Sequence, residues 1–195
     1  NNWQLIGKVA AAFVPTAIIG FLLYDLVKGF LLESLTTIAI ALIAGGIAII
    51  VLETYYSRRD RKKEEADDGK IDISYKQAIL IGLFQALAVV PGVSRAGATV
   101  IGGLGLGIKR QHIVEFSFLL AIPTMAAATG YDLLKTPLAF TNQEIAIWAA
   151  GFAMSFVTAI LGVKFFLRFI QKNNFSAFGW YRIILGVIVL AWLFI

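Results

Sequence analysis

The sequence predicts an all-α integral membrane protein: a polytopic helix bundle that contains a re-entrant helix hairpin. Of its 195 residues, 59% are hydrophobic and only 15% are charged, and the mean hydropathy is +0.82. A typical soluble domain has about 45–50% apolar and roughly 25% charged residues. The apolar residues also form several runs of about 20, which is the length that crosses a bilayer as a helix.

Composition excludes several other classes of protein. The length allows about six crossings and leaves no room for a separate soluble domain. The chain has no cysteine, which excludes disulfides, thiolate metal sites and cysteine nucleophiles. A pI near 9.5 could suggest nucleic-acid binding, but the basic residues lie in short loops between apolar runs, where membrane orientation explains them better. We therefore expect no nucleic-acid partner.

The apolar runs define the expected elements in order. Five have spanning length, at residues 9–27, 35–56, 113–130, 145–166 and 178–195. Between the second and third, residues 76–90 and 96–107 are each short for a crossing and are separated by Pro91-Gly92. Two short helices joined by a non-helical turn indicate a re-entrant hairpin over 76–107.

The distribution of positive charge supports this topology. If the hairpin returns to its starting face, that face carries 14 of the 17 Lys and Arg residues, with Lys28 and Lys135 opposite and Arg95 inside the membrane. The face with the excess is expected to be cytoplasmic. Residues 57–75 then form a cytoplasmic loop, with attraction to lipid headgroups as a minor alternative.

The hairpin turn combines groups that suit a phosphate. An arginine inside a membrane is costly and usually functional, and the guanidinium of Arg95 matches phosphate oxygens. Ser94 and Thr99 add hydroxyl groups, while Gly92 and Gly97 permit close approach to the backbone at the start of a helix. The alternative is that Arg95 pairs with a buried carboxylate and that the glycines serve only helix packing.

Other polar residues are weaker candidates. Gln85 and Arg182 could each contact the phosphate, although Arg182 could instead extend to the membrane interface. His112 is expected to be interfacial, and Glu53 and Glu115 are expected to have structural roles, the latter near Arg110.

The motif around the turn resembles that of a known family, the undecaprenyl-diphosphate phosphatases, which are membrane enzymes associated with bacitracin resistance. Their signature Pro-Gly-x-Ser-Arg-Ser-x-x-Thr matches residues 91–99, with Ala96 in place of the second serine. The resemblance extends to 82–85, 115–123 and 181–182. It implies that Ser94, Arg95 and Thr99 are catalytic and that Gly92, Gly97, Gln85 and Arg182 bind phosphate.

The resemblance also implies a fold of two inverted repeats. Residues 9–56 would be the last two helices of the first repeat and 76–195 the second repeat, all within one membrane domain. The chain begins Asn1-Asn2-Trp3 without an initiator methionine, so we expect an upstream segment. That segment would carry the glutamates that hold a divalent cation, Mg²⁺ or Ca²⁺, together with the nucleophile.

The implied reaction is hydrolysis of undecaprenyl diphosphate to undecaprenyl phosphate and inorganic phosphate. The substrate would be a polyprenyl diphosphate lipid. We expect a multi-pass protein of the bacterial inner membrane whose active site opens to the periplasmic or outer face. A homo-oligomer is compatible with the resemblance. Because inverted repeats also build transporters, a lipid-phosphate transporter or flippase that uses the same hairpin is the alternative.

Overall fold

The computed structural model describes residues 2–27, 34–60, 71–135 and 141–194, and every regular element in these ranges is helical. The all-α prediction is therefore confirmed. The elements are α1 (Asn2–Leu22), α2 (Tyr24–Leu26), α3 (Leu35–Asp60), α4 (Tyr75–Ala86), a 3-10 turn (Leu87–Val89), α5 (Arg95–Gly105), α6 (Arg110–Lys135), α7 (Asn142–Lys172) and α8 (Ser176–Leu193).

Five of the described helices are long and apolar enough to cross a membrane, as the sequence predicts. The candidate spans are Trp3–Leu22, Leu35–Tyr55, Arg110–Lys135, Gln143–Phe169 and Ser176–Leu193. The first span begins and ends earlier than the predicted 9–27. Its helix includes Lys8, because a lysine near a helix end can extend its ammonium group to the membrane surface. The chain is a multi-pass membrane protein.

The predicted loop at 57–75 is helical at both of its ends, since α3 includes residues 57–60 and α4 begins at Tyr75. Helix α3 continues to Asp60, and residues 71–74 are irregular. A helix that leaves the apolar region can continue in polar sequence, since water satisfies its last carbonyl groups. Residues 61–70 lie outside the described part of the chain.

The described chain forms two compact units, Asn1–Thr124 with Asn174–Ile195, and Met125–Asn173. In the first unit, α3 and α8 pack closely through glycines. A Cβ atom at Gly46 would lie 2.7 Å from the Gly179 carbonyl oxygen, and one at Gly186 would lie 2.8 Å from the Ala39 carbonyl oxygen. Small residues let backbones approach in this way where no hydrophobic effect drives helices together.

Helices α1 and α4 of the first unit are joined by a hydrogen bond as well as by close packing. Thr16 Oγ1 donates to the Gly82 carbonyl oxygen at 2.8 Å. A Cβ atom at Gly82 would overlap the Ala12 carbonyl group, so a glycine is required for this approach. The contact places α1 against the first arm of the hairpin.

The second unit contains the C-terminal part of α6 and helix α7. Helix α7 begins with a capping box: Glu144 N donates to Thr141 Oγ1 at 3.3 Å, and Thr141 N donates to Glu144 Oε2 at 2.7 Å. This reciprocal pair satisfies two of the N–H groups at the helix start and fixes where α7 begins.

Candidate active site in the re-entrant hairpin

Helices α4 and α5 form the antiparallel hairpin that the sequence predicts. They have 12 and 11 residues, about 18 Å and about 17 Å at 1.5 Å per residue, and both are well short of a hydrocarbon core of about 30 Å. Gln77 Nε2 at the start of α4 donates to the Leu106 carbonyl oxygen at the end of α5, at 3.4 Å. The chain therefore returns to the end at which the hairpin began.

The turn between the two arms depends on Pro91 and Gly92. A proline disfavours helical conformation in the residue before it, and Val90 is extended with ψ 121°. Gly92 has φ 89°, in the left-handed region that favours glycine. A Cβ atom there would also lie 2.5 Å from the Ile38 carbonyl oxygen, so Gly92 allows the turn to rest on the backbone of α3.

Ser94 is the N-cap of α5. Its backbone is extended, and its Oγ accepts a hydrogen bond from Gly97 N at 3.1 Å, while Ala98 N donates to the Ser94 carbonyl oxygen at 2.8 Å. The N–H groups of Arg95 and Ala96 are the remaining donors of the first turn, and they have no acceptor within the described residues. The helix start therefore keeps two donors and the positive end of its dipole for an anion.

Arg95 is the first residue of α5, and its side chain is half-buried. Its Nη1 atom is buried and has no hydrogen-bond partner in the part of the chain that the structure describes. A buried unpartnered donor on a charged group costs free energy, which a ligand oxygen would remove. The alternative in which Arg95 pairs with a buried carboxylate finds no support in the described residues.

Thr99 and Gln85 lie in a buried hydrogen-bond network, each only 1% exposed. Thr99 Oγ1 lies 2.8 Å from the Arg95 carbonyl oxygen and 3.3 Å from Gln85 Oε1. Gln85 Nε2 donates to Thr124 Oγ1 at 3.0 Å and to Thr16 Oγ1 at 3.4 Å. The network joins α1, α4, α5 and α6 beneath the turn, and the phosphate contacts expected for Thr99 and Gln85 stay predictions.

Arg182 reaches the hairpin from α8. It is 4% exposed, and its Nη2 atom donates to the carbonyl oxygens of Gly92 at 2.8 Å and of Ala41 in α3 at 3.3 Å. The side chain is therefore at the turn, as the hypothesis of a phosphate contact requires, but the contacts that it makes are to backbone. The sequence offered no signal for Ala41, Thr16 or Thr124 as partners.

The remaining polar candidates lie elsewhere in the first unit. Arg110 forms an ion pair with Glu53, which is 2% exposed, and Gln111 Nε2 donates to Glu115 Oε1 at 3.2 Å. Glu53 therefore has the structural role that was expected for it, as the partner of Arg110. Glu115 was expected near Arg110, but its bond is to Gln111. His112 is buried, because α6 packs at its N-terminal end and does not leave it at the surface.

The described residues do not fit a divalent cation. They contain no group of three or more His, Asp or Glu side chains that could hold a metal ion. The groups gathered at the turn are N–H, hydroxyl and guanidinium groups, which suit an anion, whereas protein sites for Mg²⁺ and Ca²⁺ usually include carboxylates.

These features define a class: a polytopic helical membrane protein with a buried, unpartnered arginine nitrogen at the turn of a short helix hairpin. The profile of one family, described as "Bacitracin resistance protein BacA", matches residues 1–188. Since the match covers nearly the whole chain, the chain belongs to this family.

Individual relatives agree with the family match. A protein of Aquifex aeolicus (strain VF5) is 44% identical over 191 residues, which cover 98% of this chain and 73% of the relative. One of Wolinella succinogenes is 48% identical over 186 residues, 95% and 70% of the two chains, and one of Fusobacterium nucleatum is 45% identical over 194 residues, 99% and 72%. All three are named undecaprenyl-diphosphatase.

Proposed function

We propose that the protein is a membrane phosphatase that hydrolyses undecaprenyl diphosphate to undecaprenyl phosphate and inorganic phosphate. The reaction returns the lipid carrier to the pool used in cell-wall synthesis. The structural observation that carries the proposal is the unpartnered Nη1 atom of Arg95 at the start of α5. Membership of the family and the names of the relatives favour hydrolysis over the transporter or flippase alternative.

In the net hydrolysis an oxygen from water bonds to the terminal phosphorus, the bond from that phosphorus to the bridging oxygen breaks, and the lipid leaves as its monophosphate. In phosphoryl transfer the protein mainly positions the groups and stabilises charge on the phosphate oxygens. Arg95 would bind two of these oxygens through its planar guanidinium, and the N–H groups of Arg95 and Ala96 would bind a third. Arg95 is thus the catalytic residue on which the proposal depends most.

Ser94 and Thr99 have different environments. Ser94 Oγ accepts from Gly97 N, a bond that leaves its own proton for a phosphate oxygen. Thr99 has its hydroxyl directed to the Arg95 carbonyl and to Gln85. We propose Ser94 as a phosphate donor, and Thr99 as a residue that contacts phosphate only if its hydroxyl leaves the buried network.

The family resemblance implies a divalent cation, Mg²⁺ or Ca²⁺, and we keep it as a proposed cofactor. The described residues offer no cluster of His, Asp or Glu ligands for it. The contribution of these residues is to bind and orient the diphosphate.

The substrate and the location follow from the same proposal. A polyprenyl diphosphate carries its charge on the head group, which an intramembrane hairpin can meet while the chain stays in lipid. We propose that the protein lies in the bacterial inner membrane, with its basic loops in the cytoplasm and its active site open to the outer face. We also propose that 9–56 and 76–195 belong to two inverted repeats of one membrane domain.

Phosphate release from undecaprenyl diphosphate tests the proposal. The full-length gene product is purified in detergent, and wild type is compared with Arg95→Ala and with Arg168→Ala, a matched change at an exposed arginine of α7. We expect turnover by wild type and Arg168→Ala, and a loss of at least about 100-fold in Arg95→Ala. Tight lipid binding without phosphate release by wild type would favour transport and overturn the proposal.

A further inference from the structure

Arg182 connects three parts of the first unit. It lies in the first half of α8, and its Nη2 atom alone donates to both the Gly92 and the Ala41 carbonyl oxygens, at 2.8 and 3.3 Å. A buried guanidinium at membrane depth is costly, so these two bonds offset part of a large penalty. Both acceptors are backbone atoms, one in the hairpin turn and one in α3.

Gly45 makes room for this guanidinium. A Cβ atom at Gly45 would lie 2.6 Å from Arg182 Nη2 and 3.3 Å from Arg182 Cζ. Any larger residue at position 45 would therefore displace the group from its two acceptors. Gly45 in α3 therefore leaves the space that the Arg182 guanidinium from α8 occupies.

The held carbonyl group lies just before the proposed catalytic groups. Gly92 is three residues before Arg95, and the segment between is short and internally bonded, with Val93 N donating to the Val90 carbonyl oxygen at 3.1 Å. Pro91 adds a fixed φ. A bond that fixes the Gly92 carbonyl therefore restricts where α5 begins and where Arg95 can place its guanidinium.

We propose that Arg182 is a positioning residue for the reaction: it holds the hairpin turn against α3 so that Arg95 meets the phosphate in a productive geometry. This inference rests on the proposed function, because Arg95 is the group being positioned. It replaces the earlier hypothesis that Arg182 itself binds phosphate. Since one nitrogen makes both bonds, they do not need the fork of a guanidinium, and we expect the ammonium group of a lysine, one bond shorter, to keep at least one of them; Arg95 instead needs two nitrogens.

Kinetics of the full-length gene product distinguish positioning from a general effect on folding. We expect Arg182→Met to lower kcat/KM about 100-fold, since a misplacement of about 1 Å can have that effect, and Arg182→Lys to stay within about fivefold of wild type. The double variant Arg182→Met/Arg95→Lys should be no slower than Arg95→Lys, because Arg182 acts through Arg95. Additive losses, or a Lys variant as slow as Met, would overturn the proposal.

Gly45→Ala tests the same contact without removing the arginine, in case Arg182→Met does not fold. We expect a fall in kcat/KM of at least about 10-fold. The control is Gly20→Ala in α1, where an added Cβ meets nothing within 4 Å; it should match wild type, because alanine suits a helix better than glycine. Equal activity of the two variants would contradict the positioning role.

A readout independent of turnover separates this inference from the proposed function. These 195 residues contain no cysteine, so in a full-length gene product in which any cysteine outside them is replaced by serine, a single Val93→Cys reports on the turn through its rate of reaction with a soluble thiol reagent. We expect Arg182→Met and Gly45→Ala to raise this rate at least about 10-fold, as a more frequently open segment would. An unchanged rate overturns positioning even if wild type hydrolyses the lipid. A raised rate shows that Arg182 holds the turn even if wild type does not, and in that case it is the proposed function that fails.

Discussion

Gln85 Oε1 and Thr99 Oγ1 lie 3.3 Å apart and join the two arms of the hairpin. The same glutamine donates from Nε2 to Thr124 and Thr16, so one side chain connects four helices. The hydroxyls of Thr16 and Thr124 also donate to the Gly82 and Leu120 carbonyls, at 2.8 and 2.7 Å. They therefore need a donor from elsewhere, and the amide of Gln85 supplies it.

Gln85→Leu should destabilise the protein, because it removes the central member of this buried network. We expect a loss of about 1–3 kcal/mol, measured by thermal unfolding in detergent. The control is Gln111→Leu, at an exposed position that is bonded to Glu115 on the same helix, where the change should be within about 0.5 kcal/mol. Gln85→Met keeps the length of the side chain but loses both donors, and wild-type stability in that variant would contradict the donor role.

Arg95→Lys tests whether the guanidinium geometry, and not only its charge, stabilises the transition state. The lysine keeps a positive charge but cannot bind two phosphate oxygens in parallel. We expect phosphate release by the full-length gene product to fall at least about 100-fold, the scale of losing one transition-state donor. Arg168→Lys in α7 is the matched control and should leave the rate unchanged. Near-normal turnover by Arg95→Lys would remove Arg95 from its proposed role.

Gly92→Ala and Gly107→Ala separate backbone strain from packing at the turn. Both glycines have positive φ, 89° and 77°, so an alanine is strained at either, by about 1–2 kcal/mol. Only at Gly92 would the new Cβ also meet α3, at 2.5 Å from the Ile38 carbonyl oxygen; at Gly107 it meets nothing within 4 Å.

We therefore expect Gly107→Ala to keep most of its phosphatase activity and Gly92→Ala to lose at least about 10-fold, since the turn must move away from α3. Activity and melting temperature are measured together. Similar activity in both variants would mean that the packing of the turn against α3 does not affect the function of Arg95.

The sequence predicts the helical class, the five spans and the hairpin, because these depend on apolar run length and on local signals such as Pro91 and Gly92. The N-cap role of Ser94 was not predicted, although serine before a helix start is a local signal. The bonds from Arg182 to Gly92 and Ala41 could not be predicted. They join residues up to 141 positions apart, and no local pattern encodes which carbonyl groups a buried arginine will meet.

The same limit applies to Glu53 and Arg110, which the sequence leaves 57 positions apart and the fold brings together as an ion pair. Local reasoning instead associated Arg110 with Glu115, five residues away on the same helix. Pairing in a bundle depends on which helices are neighbours, and that depends on packing through residues such as Gly46 and Gly179.

Membrane topology gives the last test, because a re-entrant hairpin and a single crossing place its flanking residues differently. Asp72 precedes α4 and Lys109 follows α5, and the bond from Gln77 to Leu106 indicates that both lie at one end of the hairpin. Lys135 ends α6, a candidate span. These 195 residues contain no cysteine. With any cysteine outside them replaced by serine, single cysteines at 72 and 109 should react with an impermeant thiol reagent only after the cells are opened. A cysteine at 135 should react in intact cells, as the excess of cytoplasmic positive charge predicts. Labelling of 72 and 109 from opposite faces would show that residues 76–107 cross the membrane once, and Arg95 would then lie on a spanning helix instead of at a turn.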